Sequence, residues 1–164
     1  QFFSVYLFVP CGKFTHNSQK NVYFWSIENH SMEKIEHIGI AVKNLEASNA
    51  LFASLFGKPH YKVEEVKSEG VKTSFFDVGP NKIELLEATN PESPIAKFIA
   101  KKGEGIHHIA FAVTDIKAEI ARLKNEGFTV LNEEPKFGAD NKLVAFLHPK
   151  TTNGVLIELC QEIE

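Results

Sequence analysis

The chain has 164 residues, 43% of them hydrophobic and 24% charged, with a formal net charge of -3 at pH 7. That length suits one compact domain or two small fused modules, and the mildly acidic balance gives no general attraction to nucleic acid or anionic membranes. No apolar run approaches the roughly 20 residues needed to cross a bilayer, and two distant cysteines, Cys11 and Cys160, make no disulfide framework, which favours a reducing, cytoplasmic setting.

Residues 1–10 are aromatic and apolar, but they lack the basic n-region of a secretory signal and the arginines of a transit peptide. The only methionine is Met32, directly before Glu33-Lys34-Ile35. Residues 1–31 therefore read as an upstream or non-native extension, and 32–164 as a single domain.

Alternation predicts a strand over 35–42, and apolar spacing predicts a helix over 45–56 that Gly57 and Lys58-Pro59 stop. Three short strands are expected over 61–66, 71–78 and 82–87, with Gly70 and Gly79-Pro80-Asn81 as the turns between them. This first module, about 35–88, is β-α-β-β-β. Ser93 is placed to cap and Pro94 to open a linker helix over 93–103. The second module, about 105–162, repeats the order. It has a strand over 106–113, a helix over 116–124 ended by Gly127, and strands over 129–132, 143–147 and 155–159, with 136–141 and 148–154 as loops.

The repeat extends to chemistry. In Gly105-Ile106-His107-His108-Ile109-Ala110-Phe111-Ala112-Val113, alternation sends His108, Ala110 and Ala112 to one face and Ile109, Phe111 and Val113 to the other. Glu36-His37-Ile38-Gly39-Ile40-Ala41-Val42 has the same order, with His37, Gly39 and Ala41 on the small face. An imidazole followed by small side chains leaves room beside itself, as the wall of a site does. The last strands match as well, with Glu84 and Glu158 each inside an apolar run. Singly, each carboxylate reads as an edge or solvent-facing residue and each histidine as a hydrogen-bonded structural group. Together, two neutral imidazoles and two carboxylates balance one divalent cation, whereas the carboxylates alone would repel.

His107 falls on the strand face opposite His108 and lines up with Glu36, so it reads as a strand-entry or structural residue. His148 reads as a loop residue, and His16, His30 and His60 have no counterpart in the repeat. Lys136, Lys142 and Lys150 lie in expected loops of the second module, where they are solvated lysines or contacts for a phosphate-bearing ligand.

The paired modules, with His and Glu on matching strands, resemble the vicinal oxygen chelate superfamily. The runs Ser93-Pro94-Ile95-Ala96-Lys97-Phe98, Phe146-Leu147-His148-Pro149-Lys150 and Gly154-Val155-Leu156-Ile157-Glu158-Leu159 narrow the resemblance to the methylmalonyl-CoA epimerases, over about residues 33–162. The resemblance implies an α+β fold in which two βαβββ modules of one chain form a cupped mixed sheet around a metal site. His37, Glu84, His108 and Glu158 would hold one divalent ion per chain, cobalt, manganese, zinc or nickel. It further implies methylmalonyl-CoA as substrate, interconversion of its (2R) and (2S) forms through an enolate, a homodimer, and a mitochondrial-matrix location in a eukaryote. Glu158 is the expected catalytic base. Some members carry a second, non-ligand glutamate where this chain has Thr73, so Glu69 or a metal-bound water would take that part. The rival readings are a glyoxalase I-type lyase or isomerase, an iron-dependent extradiol dioxygenase, and a non-catalytic binding protein of the same fold.

Overall fold

The structure is a computed structural model and describes residues 32–163. The reading of residues 1–31 as an extension, with Cys11, His16 and His30, lies outside the described residues.

The first module runs β1 (Lys34–Ala41), α1 (Leu45–Phe56), β2 (Lys62–Val66), β3 (Val71–Val78) and β4 (Asn81–Ala88). After α2 (Pro94–Lys102), the second runs β5 (Gly105–Ala112), α3 (Ile116–Asn125), β6 (Lys136–Phe137), β7 (Lys142–Leu147) and β8 (Ile157–Glu162). Local chemistry sets the helix ends. Asn44 accepts from the Ala47 N–H, Asp115 from the N–H groups of Lys117 and Ala118, and Ser93 from that of Ile95, with Pro94 in the first turn. Gly57 closes α1 in the left-handed region at φ 68°, where a side chain would be strained.

The eight strands form one mixed, curled sheet in the order β2-β3-β4-β1-β5-β8-β7-β6. Within each module the first and last strands pair in parallel, β1 with β4 and β5 with β8. The modules meet through the antiparallel pair of β1 and β5, so the order reads outward identically from that seam. This is the expected α+β architecture of two βαβββ modules in a cupped sheet.

Alternation sorts the two faces. Phe76 and Leu85 pack under Phe52 and Phe56 of α1, while Ala145, Leu147 and Leu159 pack under Ile116, Ile120 and Leu123 of α3. The inner face of the first module carries Ala41, Val71 and Leu86, which Ile95 of α2 covers. Burying a side chain such as Leu85 or Leu159 completely contributes about 1.5–3 kcal/mol each.

Two local expectations change. The strand expected over 129–132 reduces to a single bridge of Val130 with Leu147. There Asn132 takes over the ladder with its side chain, its Oδ1 accepting from the Phe146 N–H at 2.9 Å and its Nδ2 donating to the Val144 carbonyl. Part of the expected 136–141 loop instead becomes β6, paired with Val144 and Leu143.

Candidate metal centre

Register brings the four expected residues together. Gly39 on β1 stands between Glu84 on β4 and His108 on β5. Ala110 on β5 stands between His37 on β1 and Glu158 on β8. Each row thus holds a carboxylate, a small residue and an imidazole, and the two rows are related by the repeat. The small middle residue lets the ring lean over its neighbour: a Cβ on Gly39 would lie 2.2 Å from His108 Cε1.

The side chains converge in the middle of the inner face. His37 Nε2 and His108 Nε2 are 2.9 Å apart. Glu84 Oε2 lies 3.3 Å from the first and 3.5 Å from the second, and Glu158 Oε2 lies 3.9 and 3.1 Å from them. All four residues are 3–5% exposed. Buried carboxylates facing imidazoles demand positive charge. Burial alone would depress the His37 pKa, but hydrogen bonds to Glu36 and Glu84 and the nearby charge of Glu158 outweigh it and push it up to about 10. Glu84 shows the converse. Its burial favours the neutral acid, yet the two imidazoles hold it well below the usual carboxylate range. A donor set of two imidazole nitrogens and two carboxylates around a common point fits a divalent cation, which would take the place of that proton.

Further contacts hold these groups. The Thr73 hydroxyl, fully buried, donates to Glu84 Oε1 at 2.8 Å. The Cys160 thiol, which burial pushes up, meets Glu158 Oε1 at 3.1 Å. It is the free, packed thiol its apolar run suggested. Glu36 accepts from His37 Nδ1 and is itself held by Lys82 Nζ at 2.9 Å and Lys142 Nζ at 3.5 Å.

Two expectations about neighbouring residues need correction. His107 does not face away from the site, because the ladder slips by one residue between Gly39/His108 and Ile40/Ile106 and leaves His107 as the extra residue of a bulge. Its ring lines the same cavity as His108, with the two Nδ1 atoms 2.9 Å apart. Burial, with the neighbouring His108, pushes it down to about 4. Lys142 is no solvated loop lysine: it opens β7, is 5% exposed, and pairs with Glu36 and Glu162. Lys136 stays exposed, and its ammonium reaches Glu69 at 3.4 Å. His148 remains a loop residue, accepting from the Lys150 N–H in a short 3-10 turn, and His60 packs edge-on against Phe76. Sequence reasoning missed the parts played by Glu36, Thr73 and Lys82. Thr73 stands between Lys72 and Ser74, so no local pattern singled it out.

Glu84, His108 and Glu158 of the centre line a cavity of about 300 Å³. Val71, Leu86, Ile95, Val144 and Phe146 give it apolar walls, and Glu69, Lys136 and Phe137 stand among its lining. The second module reaches over to the first here. Asp140 meets Lys82 at 2.7 Å and Lys62 at 3.3 Å, and its N–H donates to Glu64. No helix among the described residues is long and apolar enough to cross a membrane.

Comparison with known proteins identifies the family. The sequence profile of the Glyoxalase/Bleomycin resistance protein/Dioxygenase superfamily matches residues 36–146. The ethylmalonyl-CoA/methylmalonyl-CoA epimerase of Cereibacter sphaeroides is 43% identical over 130 residues, covering 78% of this chain and 97% of that protein. The mitochondrial methylmalonyl-CoA epimerase of Homo sapiens is 39% identical over 132 residues, 80% of this chain and 75% of that protein. Among solved structures, a variant of the Streptomyces coelicolor methylmalonyl-CoA epimerase, in complex with 2-nitronate-propionyl-CoA, superposes with a TM-score of 0.78 at 36% identity, covering 80% of this chain and 96% of that one. With its duplicated fold, its buried His/Glu centre and these relatives, the chain belongs to the glyoxalase/bleomycin resistance protein/dioxygenase superfamily and, within it, to the methylmalonyl-CoA epimerase family.

Proposed function

We propose that this chain epimerises methylmalonyl-CoA at C2, with one divalent cation held by His37, Glu84, His108 and Glu158 and with Glu158 moving the C2 proton. The observation that carries the reading is that two imidazole Nε2 atoms stand 2.9 Å apart with an oxygen of Glu84 and one of Glu158 each within 3.9 Å of both, beside an apolar cavity. When bound, the cation, one of cobalt, manganese, zinc or nickel, supplies Lewis acidity toward the thioester and carboxylate oxygens that flank C2.

The protein's own groups do the rest. Thr73 ties Glu84 in place through a full hydroxyl hydrogen bond, so Glu84 serves as a fixed anion. Glu158 Oε1 meets a thiol, a weak donor, which leaves this carboxylate freer to accept the proton at C2. Val71, Leu86, Ile95 and Phe146 line the cavity with apolar surface, and low-dielectric walls of that kind strengthen charge interactions at a carbon bound beside them. Inversion needs a proton carrier on the second face of C2, and Glu69, on the same cavity and paired with Lys136, is the candidate for it. The family further suggests a homodimer, checked by sedimentation, working in the cytoplasm or, in a eukaryote, the mitochondrial matrix.

The test is exchange of the C2 proton of methylmalonyl-CoA with deuterium from solvent. The metal-loaded chain exchanges it, chelation followed by dialysis stops the exchange, and added cobalt(II) restores it. A metal-loaded chain that exchanges nothing overturns the epimerase reading, and exchange that survives removal of the metal overturns the part given to the cation.

A further inference from the structure

The two bulges on the seam between the modules occupy equivalent places. Along β1 and β5 the partner register slips between Ile35 and His37 and slips back between Gly39 and Ile40. The extra residue is Glu36 on β1 in the first case and His107 on β5 in the second. Each immediately precedes one of the two imidazoles of the centre. A bulge re-aims the side chain it carries, and here both are turned onto the ring of the following histidine. Glu36 meets His37 Nδ1, and His107 Nδ1 lies 2.9 Å from His108 Nδ1.

We propose that Glu36 and His107 are positioning residues, each accepting the Nδ1–H of the histidine that follows it and so turning that ring's Nε2 into the centre. The proposal rests on the reading of His37 and His108 as metal ligands. A ring that gives its Nε2 lone pair to a cation carries its proton on Nδ1. Two Nδ1 atoms at 2.9 Å share one hydrogen, so His107 must present the bare nitrogen and keep its own proton on Nε2. Both acceptors are themselves fixed. Glu36 is 7% exposed and its second oxygen is held by Lys82 and Lys142. The His107 ring lies edge-on to Phe98, centroids 5.0 Å apart. Glu36, His37 and Cys160 also stand close enough together to suggest a second ion. The two lysine ammoniums already supply Glu36 with positive charge, which leaves it the part of acceptor. The same place in the repeat thus carries an anionic acceptor in one module and a neutral one in the other, and the carboxylate bond is the stronger of the two.

The experiment measures cobalt(II) affinity by calorimetry and the visible absorption of the bound cobalt, for the wild-type chain and four variants. Glu36→Leu and His107→Leu, which remove the acceptors, weaken cobalt binding by roughly 10–100-fold and alter the absorption bands. Glu36→Gln and His107→Gln, which keep an acceptor oxygen, recover part of the affinity. Leucine variants that bind and absorb as the wild type does overturn the positioning roles. A wild-type chain that takes up no cobalt overturns the ligand set and these roles with it. Should a leucine variant fail to fold, nitrogen-detected NMR of the zinc-loaded wild type decides the matter. Protons on Nδ1 of both His37 and His108 support the assignment, and a proton on Nε2 of either overturns it.

Discussion

Gly39→Ala is the sharpest probe of how the centre is built, because the structure sets its size. The new methyl carbon would stand 2.2 Å from Cε1, 2.5 Å from Nε2 and 2.6 Å from Nδ1 of His108. Non-bonded carbon contacts settle at roughly 3.5–4 Å, so the ring must retreat by about 1 Å or more. It has little room to do so. His37, His107 and Phe146 surround it edge-on, with centroids 5.1, 5.2 and 6.0 Å away. The metal-free protein should therefore lose about 1–3 kcal/mol to overpacking, a fall in Tm of roughly 3–10 °C by calorimetry. Metal sites tolerate only about 0.2 Å of error in ligand distance, so cobalt(II) affinity should fall by at least about 10²-fold, the upper end of the cost of disturbing a ligand's support. A Gly39→Ala chain that keeps both its Tm and its cobalt affinity would refute the claim that this glycine exists to admit the His108 ring.

Other perturbations test separate links. Thr73→Val keeps the buried volume but removes the hydroxyl from Glu84; a hydrogen bond to a charged group is worth about 1.5–3 kcal/mol, so thermal unfolding of the metal-free variant should come roughly 4–10 °C lower, and an unchanged Tm would count against a held Glu84. Glu158→Gln should slow deuterium exchange at C2 by at least ~10²-fold, and near-normal exchange would remove Glu158 as the base. Asp140 is pushed up by burial, but Lys82 and Lys62 outweigh this and hold its carboxyl below the usual range. Its contribution is therefore complete above the unfolded value near 3.8 and lost as pH falls through the lower folded one. Urea titrations of the wild type and Asp140→Asn should show a stability gap at pH 6 that closes toward strongly acid pH, and a gap that widens on acidification would contradict the pairing.

Alternation and capping residues determined most of the elements in advance, because a strand buried on one face writes its period of two into the sequence and a helix end writes its cap. The four residues of the centre were legible for a further reason: two copies of one module repeat the same polar exceptions, His37 with His108 and Glu84 with Glu158, in otherwise small or apolar runs. Tertiary structure alone decided the residues that hold them. A bulge inserts one residue and reverses the parity of the strand beyond it, so Glu36 and His107 turn onto the imidazoles although their own strands read otherwise. Asn132 replaces a backbone ladder with a side chain, and nothing local distinguishes that from a strand. Lys142 and Asp140 meet partners far away in sequence, Glu36 for the first and Lys62 and Lys82 for the second. The sequence carries each residue's face as long as the ladder stays in step; where it slips, and what lies across the sheet, is settled only when the two modules close on each other.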